Sequence, residues 1–511
     1  MTPRRHGTLL LQLERLGDLV QTLPALQALA AAGEPVTLVI REALAPWARA
    51  LVPAGTDVRL VGDRSLAALI EALSAGPEEA QGAIALVREE IGPASPARLV
   101  NLTWHAAGAA VASAFGAPRS AGPLLSREGE RLAAGFWGAY PVAAWDARPA
   151  GRVLLSDVRR LLVEEVCGHR LPEPELPRAA RRSRGPVALV AGAGAAARRW
   201  PAEHQARLAA ALHREGLPVA LVGGPEDRAL GEEIARRARE LGADVQNLTG
   251  KLPPSDFVAW LREARLVVGP DTGPTHLAAA SGVPCVMLLA ASAHAWETGP
   301  AAEGAIALQA LPVGRSSMED LVPGLVERAA RAALGEAPLP RGEAGVAVLQ
   351  ARAAGDPLGG AVLDGEDPPV RSPRLLLAAW GAVPGREPTP DALTAALREE
   401  ADPSRAAAWN RAAALARRGT LAADEAARLL ARRRGAGAGT ALREAGRSLD
   451  AFAALLGALP EGRLLSACLK VLLENLPPEA PGSVVSRVRE IARRAAAVAA
   501  SAAATPAVAA L

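Results

Sequence analysis

Roughly the first 330 residues of the chain alternate short apolar runs with alanine- and leucine-rich stretches of helical periodicity. This alternation is typical of βαβ units, in which each parallel strand is followed by a helix that covers the sheet. The runs expected to be strands are 8–13, 35–40, 57–62 and 97–102, followed later by 187–192, 218–223, 243–248, 265–269 and 284–289. The pattern therefore predicts an α/β chain with two parallel sheets.

A segment rich in proline and arginine, 171–186, separates the two groups of strands. We predict an N-terminal Rossmann-like domain over residues 1–170 and a C-terminal one over 171–340. Ligands of open α/β sheets bind at the carboxyl ends of the strands. A cleft between two such facing edges is therefore the expected binding site.

The composition of the chain and the spacing of its apolar residues change after residue 340. Residues 341–374 are rich in Gly, Pro and Asp and are predicted to be a linker with a little strand. Residues 375–511 show apolar residues at three- and four-residue spacing and end in an Ala-rich tail. This spacing predicts an α-helical appendage, for which a protein partner is one expectation.

Composition and charge limit the class of protein. The formal net charge of +3 is too small to indicate a nucleic-acid partner by itself. The three cysteines are far apart, which fits a reducing compartment and no disulfide framework. The apolar run near the N-terminus is short enough for a strand rather than a signal peptide, and no segment offers ~20 uninterrupted apolar residues. We therefore expect a cytoplasmic protein without a transmembrane segment.

The segment 267–284 concentrates prolines, glycines and hydrogen-bonding residues between an apolar run and an alanine run. The strand is predicted to end at Gly269, and a helix to begin near Pro274 or Thr275, since proline suits the first helical turn. The segment is thus a strand-to-helix corner at the edge of the sheet where ligands bind.

Four residues of this corner are candidates for binding an anion. A helix N-terminus carries unpaired N–H groups and a partial positive charge. Gly273 would allow a ligand to approach closely, and His276 could add a donor. The alternative is that Asp271 or Thr272 simply caps the helix, but capping requires neither the histidine nor the neighbouring prolines.

A second corner follows the first predicted strand and carries Gly17 and Asp18 into a helix. Two interpretations of Asp18 remain open. It could be an N-cap, or it could be a carboxylate that projects into the cleft and accepts a proton from a nucleophilic hydroxyl.

A third corner lies in the segment 187–208. Its glycines match the spacing of a dinucleotide fingerprint, but no acid follows ~20 residues later, as that fingerprint requires. A loop of small residues followed by Arg198 and Arg199, ahead of a helix that begins after a proline, instead suits the binding of a diphosphate.

Together the three corners resemble the glycosyltransferase family 9 heptosyltransferases of lipopolysaccharide core synthesis. The family's markers are G-D-x-x-x-T-x-P-A-L, K-x-W-P and D-[ST]-G-x-x-H-x-A-A-A-x-G-x-P. They correspond here to 17–26, 198–201 and 271–284, in the same order, with arginine in place of the lysine at 198. The resemblance covers roughly residues 1–335.

The resemblance implies a GT-B fold, with two Rossmann-like domains facing a cleft. It also implies an inverting, metal-independent transfer of heptose from ADP-L-glycero-D-manno-heptose to a lipopolysaccharide inner-core acceptor, without a cofactor. The acceptor would be a lipid A-core type molecule at the inner membrane surface, so peripheral association with that surface is a further expectation.

The resemblance also assigns roles to single residues. Asp18 would be the general base on the acceptor hydroxyl, and Arg198 would neutralise the departing diphosphate. The other residues expected to bind the donor are Asp271, Thr272, Gly273, His276, Gly194, Glu226 and Leu252. The residues expected on the acceptor side are Gly17, Trp104 and His105, although Trp104 could equally be packed under a loop.

Three other functions remain as alternatives. The same fold could use a different nucleotide sugar, since Arg198 keeps the charge of the family's lysine but changes its reach. The chain could be a degenerate, non-catalytic binding module. Nicotinamide-dependent redox chemistry rests only on the glycine spacing at 192–197.

Overall fold

The computed structural model describes residues 7–126, 129–146, 153–180, 184–343, 345–356 and 358–365, together with short stretches between 415 and 496. Most of the predicted α-helical appendage (375–511), including its Ala-rich tail, lies outside the described residues. That segment and its protein partner stay predictions.

The N-terminal domain is built on a six-stranded sheet with the order β3-β2-β1-β4-β5-β6. Its strands are β1 (Thr8–Gln12), β2 (Val36–Arg41), β3 (Asp57–Val61), β4 (Arg98–Asn101), β5 (Arg119–Leu125) and β6 (Arg131–Ala134). All pair in parallel except β6, which runs antiparallel to β5. Because β1 lies between β2 and β4, the loop after β1 opens into the crevice at the carboxyl edge of the sheet.

Seven helices cover this sheet: α1 (Leu16–Ala31), α2 (Ala45–Leu51), α3 (Asp63–Ala75), α4 (Pro77–Ile91), α5 (Ala106–Ser113), α6 (Phe136–Asp146) and α7 (Leu155–Cys167). Helix α1 buries the apolar residues Leu19, Val20, Leu23 and Leu26. Its polar first turn is left at the carboxyl edge of the sheet, beside the crevice.

The C-terminal domain has an eight-stranded sheet with the order β14-β13-β12-β11-β10-β7-β8-β9. Its strands are β7 (Val187–Val190), β8 (Val219–Val222), β9 (Gln246–Asn247), β10 (Leu266–Pro270), β11 (Cys285–Leu289), β12 (Ile306–Ala310), β13 (Val346–Ala353) and β14 (Ala361–Asp364). The helices are α8 (Ala202–Arg214), α9 (Arg228–Glu240), α10 (Pro254–Glu263), α11 (Gly273–Ala280), α12 (Ala295–Thr298) and α13 (Pro323–Leu334). Strands β7 to β12 are parallel, so the turns after β7 and β10 share one edge.

The α/β class and the two sheets confirm the prediction from the alternating pattern. Every run predicted to be a strand contains one, although only Gln246–Asn247 of the run 243–248 pairs with a neighbour. The polar side chains of Asp244, Gln246 and Asn247 interrupt the apolar residues of this run.

The first half of the segment 341–374, predicted to be a linker with a little strand, contains more strand than predicted. Strands β13 and β14 form a hairpin that continues the sheet antiparallel to β12. The hairpin buries Val346, Val348, Leu349 and Leu363, which form two short apolar runs within a Gly/Pro-rich segment. The C-terminal sheet therefore extends to Asp364, beyond the predicted limit at 340.

A buried ion cluster joins this hairpin to the N-terminal domain. The guanidinium of Arg160, only 1% exposed, lies 3.0 Å from the Glu164 carboxylate and 3.7 Å from Asp157. It also donates to the carbonyl oxygen of Leu358 in the hairpin loop, at 2.5 Å. In the same loop Ala361 N donates to Asp157. Helix α7 of one domain is thus fastened to the sheet of the other.

The glycines of this loop allow the close contact. Gly360 has a φ of +74°, and a Cβ atom there would lie 1.9 Å from Asp157 Oδ1. Its N–H donates to Glu173 Oε1 at 2.7 Å. No residue with a side chain could occupy this position without moving the carboxylates.

Within the part of the chain that the structure describes, none of the helices combines the length and apolarity needed to cross a membrane.

We predict that Arg160→Ala lowers the free energy of unfolding by about 3–5 kcal/mol, because it leaves Asp157 and Glu164 buried without their cation. Arg170→Ala is the matched control. It breaks the more exposed pair with Glu173 and should cost less than about 1 kcal/mol. Urea unfolding followed by circular dichroism measures both. Equal losses for the two variants would contradict the importance of the buried cluster.

Candidate active site at the junction of the two domains

The first turns of α1 and α11 abut where the two domains meet. A Cβ atom on Gly273 would lie 2.7 Å from Leu16 Cδ2, and one on Gly17 would lie 3.3 Å from His276 Cδ2. Gln21 of α1 also reaches His276, with 3.4 Å between their Nε2 atoms. This contact brings the predicted Gly17–Asp18 and 271–276 corners together.

The Asp271 carboxylate is held by three other side chains. His276 Nε2 lies 2.8 Å from Oδ1, and the Thr298 hydroxyl donates to Oδ2 at 3.1 Å. Arg198 Nη1 lies 3.4 Å from the Asp271 carbonyl oxygen and 3.8 Å from Oδ2. The sequence placed Asp271, His276 and Arg198 in one site, and the structure brings them into contact.

Two opposing influences set the pKa of Asp271. Burial raises it, because the charged form loses its hydration. The hydrogen bond and charge of His276, the charge of Arg198 and the hydrogen bond from Thr298 lower it. The net effect is a pKa below the ordinary value, so Asp271 is a fixed anion at neutral pH.

The N-terminus of α11 leaves its donors available. The helix begins at Gly273, one or two residues before the predicted start, and Thr272 is its N-cap residue. The Thr272 hydroxyl bonds to Pro270 O at 3.3 Å, and among the described residues no side chain caps this turn. Thr272 thus occupies the N-cap position, as the alternative interpretation expected, but its side chain makes no capping hydrogen bond.

Asp18 is the third residue of α1 and not its N-cap. Its Oδ1 accepts from Arg159 Nη2 at 2.6 Å, and the other nitrogen of that guanidinium bonds to the Asp18 carbonyl oxygen at 2.6 Å. Oδ2 accepts only a long bond, 3.4 Å, from Arg15 N. The side chain is 30% exposed while Arg159 is 3% exposed. Oδ1 is thus held by the buried guanidinium of Arg159. Oδ2 faces the backbone at the start of α1.

Sequence reasoning missed Arg159. It lies on α7, 141 residues from Asp18, among many other arginines. A basic residue at a buried position of a predicted amphipathic helix would have been the available signal.

Two arginines from different domains lie beside Gly194, in the loop after β7. Arg198 Nη2 lies 3.8 Å from the position that a Gly194 Cβ would occupy, and Arg15 Nη1 lies 3.5 Å from the same position. Arg198 belongs to the C-terminal domain, whereas Arg15 comes from the turn before α1. Gly194 itself is exposed.

The residues predicted to contact a nucleoside lie on neighbouring loops. Glu226 follows β8 and Leu252 follows β9, and Gly250 N donates to Gly223 O at 2.9 Å between these loops. Glu226 is exposed and Leu252 is half-buried. Their geometry is compatible with one binding surface at the edge of the sheet.

Asp227, which the sequence analysis did not single out, lies beneath the same edge. It accepts from Gly224 N at 3.0 Å, and a Cβ on Gly192 would overlap its carboxylate at 1.8 Å. Burial raises the pKa of Asp227 above its ordinary value. The Gly192 in the apparent dinucleotide fingerprint therefore accommodates a carboxylate of the protein itself.

Trp104 and His105 lie at the end of β4. The imidazole Nδ1 of His105 accepts from Gly108 N at 3.2 Å and so caps α5. Trp104 N donates to Glu14 Oε1 at 3.1 Å, which ties it to the loop after β1. Both are half-buried, and their role on the acceptor side stays a prediction.

A cavity of about 290 Å³ lies between the domains behind His276. Its walls are mainly apolar and come from α1, α11, the connector 173–177 and the hairpin. Of the candidate residues in the described ranges, His276 alone lines it. The Asp18–Arg198 corner therefore lies outside this cavity.

In the described ranges, no cluster of three or more His, Cys, Asp or Glu side chains is arranged to hold a metal ion.

Residues 170–317 match the family model described as glycosyltransferase family 9 (heptosyltransferase). Lipooligosaccharide heptosyltransferase 2 of Haemophilus influenzae is 39% identical over 93 residues, which are 18% of this chain and 27% of that protein. Lipopolysaccharide heptosyltransferase 2 of Salmonella typhimurium is 38% identical over 93 residues, with the same coverage. The chain thus spans about a quarter of the length of the curated relatives it matches.

Solved structures are similar over a longer range at lower identity. A glycosyl transferase family 9 protein from Veillonella parvula is 20% identical and has a TM-score of 0.48, covering 66% of this chain and 99% of its own. The ADP-heptose lps heptosyltransferase II of E. coli is 20% identical with a TM-score of 0.47, covering 65% and 99%.

The lowered pKa of Asp271 makes the stability of the fold depend on pH. Folding favours the carboxylate, so its contribution is fully present above the unfolded value of 3.8 and is lost as the pH falls through the lower folded value. We predict that Asp271→Asn is less stable than the wild type at neutral pH and that the difference shrinks at acid pH. Urea unfolding between about pH 3 and pH 7 measures this.

Thr298→Val is the companion variant, because it removes one hydrogen bond to the carboxylate and leaves the charge. It should show a smaller difference with the same trend. A difference between Asp271→Asn and the wild type that does not change with pH would contradict the stabilised carboxylate.

Proposed function

We propose that this chain, whose residues 170–317 match the model of glycosyltransferase family 9, is a heptosyltransferase of lipopolysaccharide synthesis. The donor would be ADP-L-glycero-D-manno-heptose and the acceptor a hydroxyl of the lipopolysaccharide inner core. The transfer would proceed with inversion at the anomeric carbon. The acceptor would be reached from the cytoplasm at the inner membrane surface.

The observation that carries the proposal is the contact between the first turns of α1 and α11. It packs the turn of α1 that carries Asp18 against the start of α11, with Gly17 against His276, and in this proposal that helix start binds the diphosphate. An acid near a diphosphate site is the arrangement that an inverting transfer to a hydroxyl group requires.

In this mechanism Asp18 accepts the proton of the acceptor hydroxyl as its oxygen attacks the anomeric carbon. Arg159 fixes Oδ1 and the backbone of Asp18, so Oδ2 is the oxygen that remains for the proton. Because the base is already held in one orientation, less entropy is lost in reaching the transition state, and the activation barrier is lower.

The leaving ADP develops negative charge on its diphosphate. Arg198 and the uncapped N–H groups of α11 at Thr272 and Gly273 would stabilise that charge, so in this proposal the transfer needs no divalent ion. His276 and Asp271 form the floor of this site, and Gly194 would allow the phosphates to approach the backbone.

The remaining contacts follow the layout of the loops. Glu226 and Leu252 would contact the nucleoside, because their loops adjoin at the edge of the C-terminal sheet. Gly17, Trp104 and His105 would face the acceptor from the N-terminal domain.

The donor can be identified with the full-length protein. We expect ADP-heptose and ADP to raise the melting temperature in a fluorimetric assay, while UDP- and GDP-sugars do not, since only a bound ligand stabilises the fold by mass action. Stabilisation by a UDP- or GDP-sugar alone would point to a transferase with another donor. Transfer assayed with and without EDTA tests the metal independence.

We predict that Asp18→Asn lowers kcat by about 10²–10⁴-fold, because it removes the proton acceptor while keeping the size of the side chain. The affinity for ADP should stay close to that of the wild type, since Asp18 contacts the acceptor and not the phosphates. Transfer of heptose to a lipopolysaccharide acceptor and calorimetry with ADP measure the two quantities.

Asp244→Asn, a change on an exposed loop of the C-terminal domain, is the control and should leave kcat unchanged. Normal transfer by Asp18→Asn would remove this mechanism. Loss of both transfer and ADP binding would show that Asp18 acts on the fold or the donor instead.

A further inference from the structure

Two arginines from different domains border one small volume at the junction. Arg15 Nη1 and Arg198 Nη2 lie 3.5 and 3.8 Å from the position of a Gly194 Cβ, which this glycine leaves empty. Arg15 stands at the N-cap position of α1, and it is exposed. Arg198 has a role in the proposed mechanism, whereas Arg15 has none.

Arg15 is held in this place by its neighbours in the chain. Leu16 packs against Gly273, and Gly17 packs against His276. Because the next two residues are fixed on α11, the backbone of Arg15 is fixed as well. Its side chain then extends across the junction toward the loop after β7.

Positive charge exceeds negative charge around Arg15 and Arg198. Asp18 is paired with Arg159, and Asp271 is shared between His276 and Arg198. Among the described carboxylates, none lies within ion-pairing distance of Arg15. The N-termini of α1 and α11 add their partial positive charges at the same point. Two guanidinium groups near two helix starts form a site that favours a multiply charged anion.

We infer that Arg15 binds the diphosphate of a nucleoside-diphosphate ligand together with Arg198, so that one anion links the two domains. This inference rests on the proposed function, which supplies a diphosphate donor. Each guanidinium presents parallel N–H donors that match two phosphate oxygens. The absence of a side chain at Gly194 leaves room for those oxygens between the arginines.

Through Arg15, the N-terminal domain would take part in binding the donor. Arg198 contacts the phosphates from the domain that holds the nucleotide, whereas Arg15 can do so only while α1 abuts α11. Binding of the diphosphate therefore favours the arrangement in which Asp18 is beside the donor.

The test compares ligands with and without phosphates on single variants of the full chain. Calorimetric titration with ADP and with adenosine gives the affinity of the wild type, Arg15→Ala and Arg15→Lys. We expect Arg15→Ala to weaken ADP binding by about 10- to 100-fold, the effect of losing charged hydrogen bonds, and to leave adenosine binding unchanged. Arg15→Lys should recover part of the lost ADP affinity, since lysine keeps the positive charge but lacks the paired N–H donors of the guanidinium.

Arg239→Ala is the matched control. This exposed arginine lies in the last turn of α9, which ends at the opposite edge of the sheet from Gly194. It removes the same charge and should leave both affinities unchanged. Melting temperatures of all variants confirm that each is folded.

Different results identify different failures. ADP binding by Arg15→Ala equal to that of Arg239→Ala would overturn the role of Arg15 and leave the proposed function intact. An equal loss of ADP and adenosine binding would also overturn it, because the effect would then not come from the phosphates. A wild-type chain that binds no ADP would overturn both this inference and the proposed donor.

Discussion

The close approach of two helix starts, α1 from one sheet and α11 from the other, is the constraint on which the site depends. Gly17 and Gly273 permit it, since a Cβ on either residue would meet the opposite helix within 3.3 Å. The approach also brings two partial positive charges together. Two carboxylates lie in these corners, Asp18 paired with Arg159 and Asp271 with His276 and Arg198. The polar residues of both corners are therefore part of the packing as well as of the proposed chemistry.

Sequence reasoning succeeded where the signal is local. The strands of both sheets follow from short apolar runs, and the corner at 271–276 follows from residues within one turn of each other. It failed where partners are distant in the chain: Asp18 and Arg159 are 141 residues apart, and Arg15 meets Gly194 only through the domain contact. An arginine-rich composition hides such partners, because nothing local distinguishes Arg15 or Arg159 from the many other arginines of the chain.

The hairpin of β13 and β14 shows a second limit of local patterns. Its apolar runs are short, and glycine and proline surround them, so the segment 341–374 is typical of a linker by composition. The segment nevertheless folds as a hairpin, because it pairs with β12 and contacts α7 through Leu358. Arg160 and Leu358 are separated by 198 residues, which no periodicity can indicate.

The hairpin also has a mechanical consequence for the two-domain architecture. It is hydrogen-bonded into the C-terminal sheet and anchored by Arg160 to α7, while the connector 171–180 runs nearby and meets it at Glu173. The anchor of the hairpin is buried, with Arg160 only 1% exposed, whereas Asp18 and Arg198 keep 30% and 25% of their side chains exposed. A ligand can therefore reach the proposed site from solvent without displacing the charges that fasten the two domains to each other.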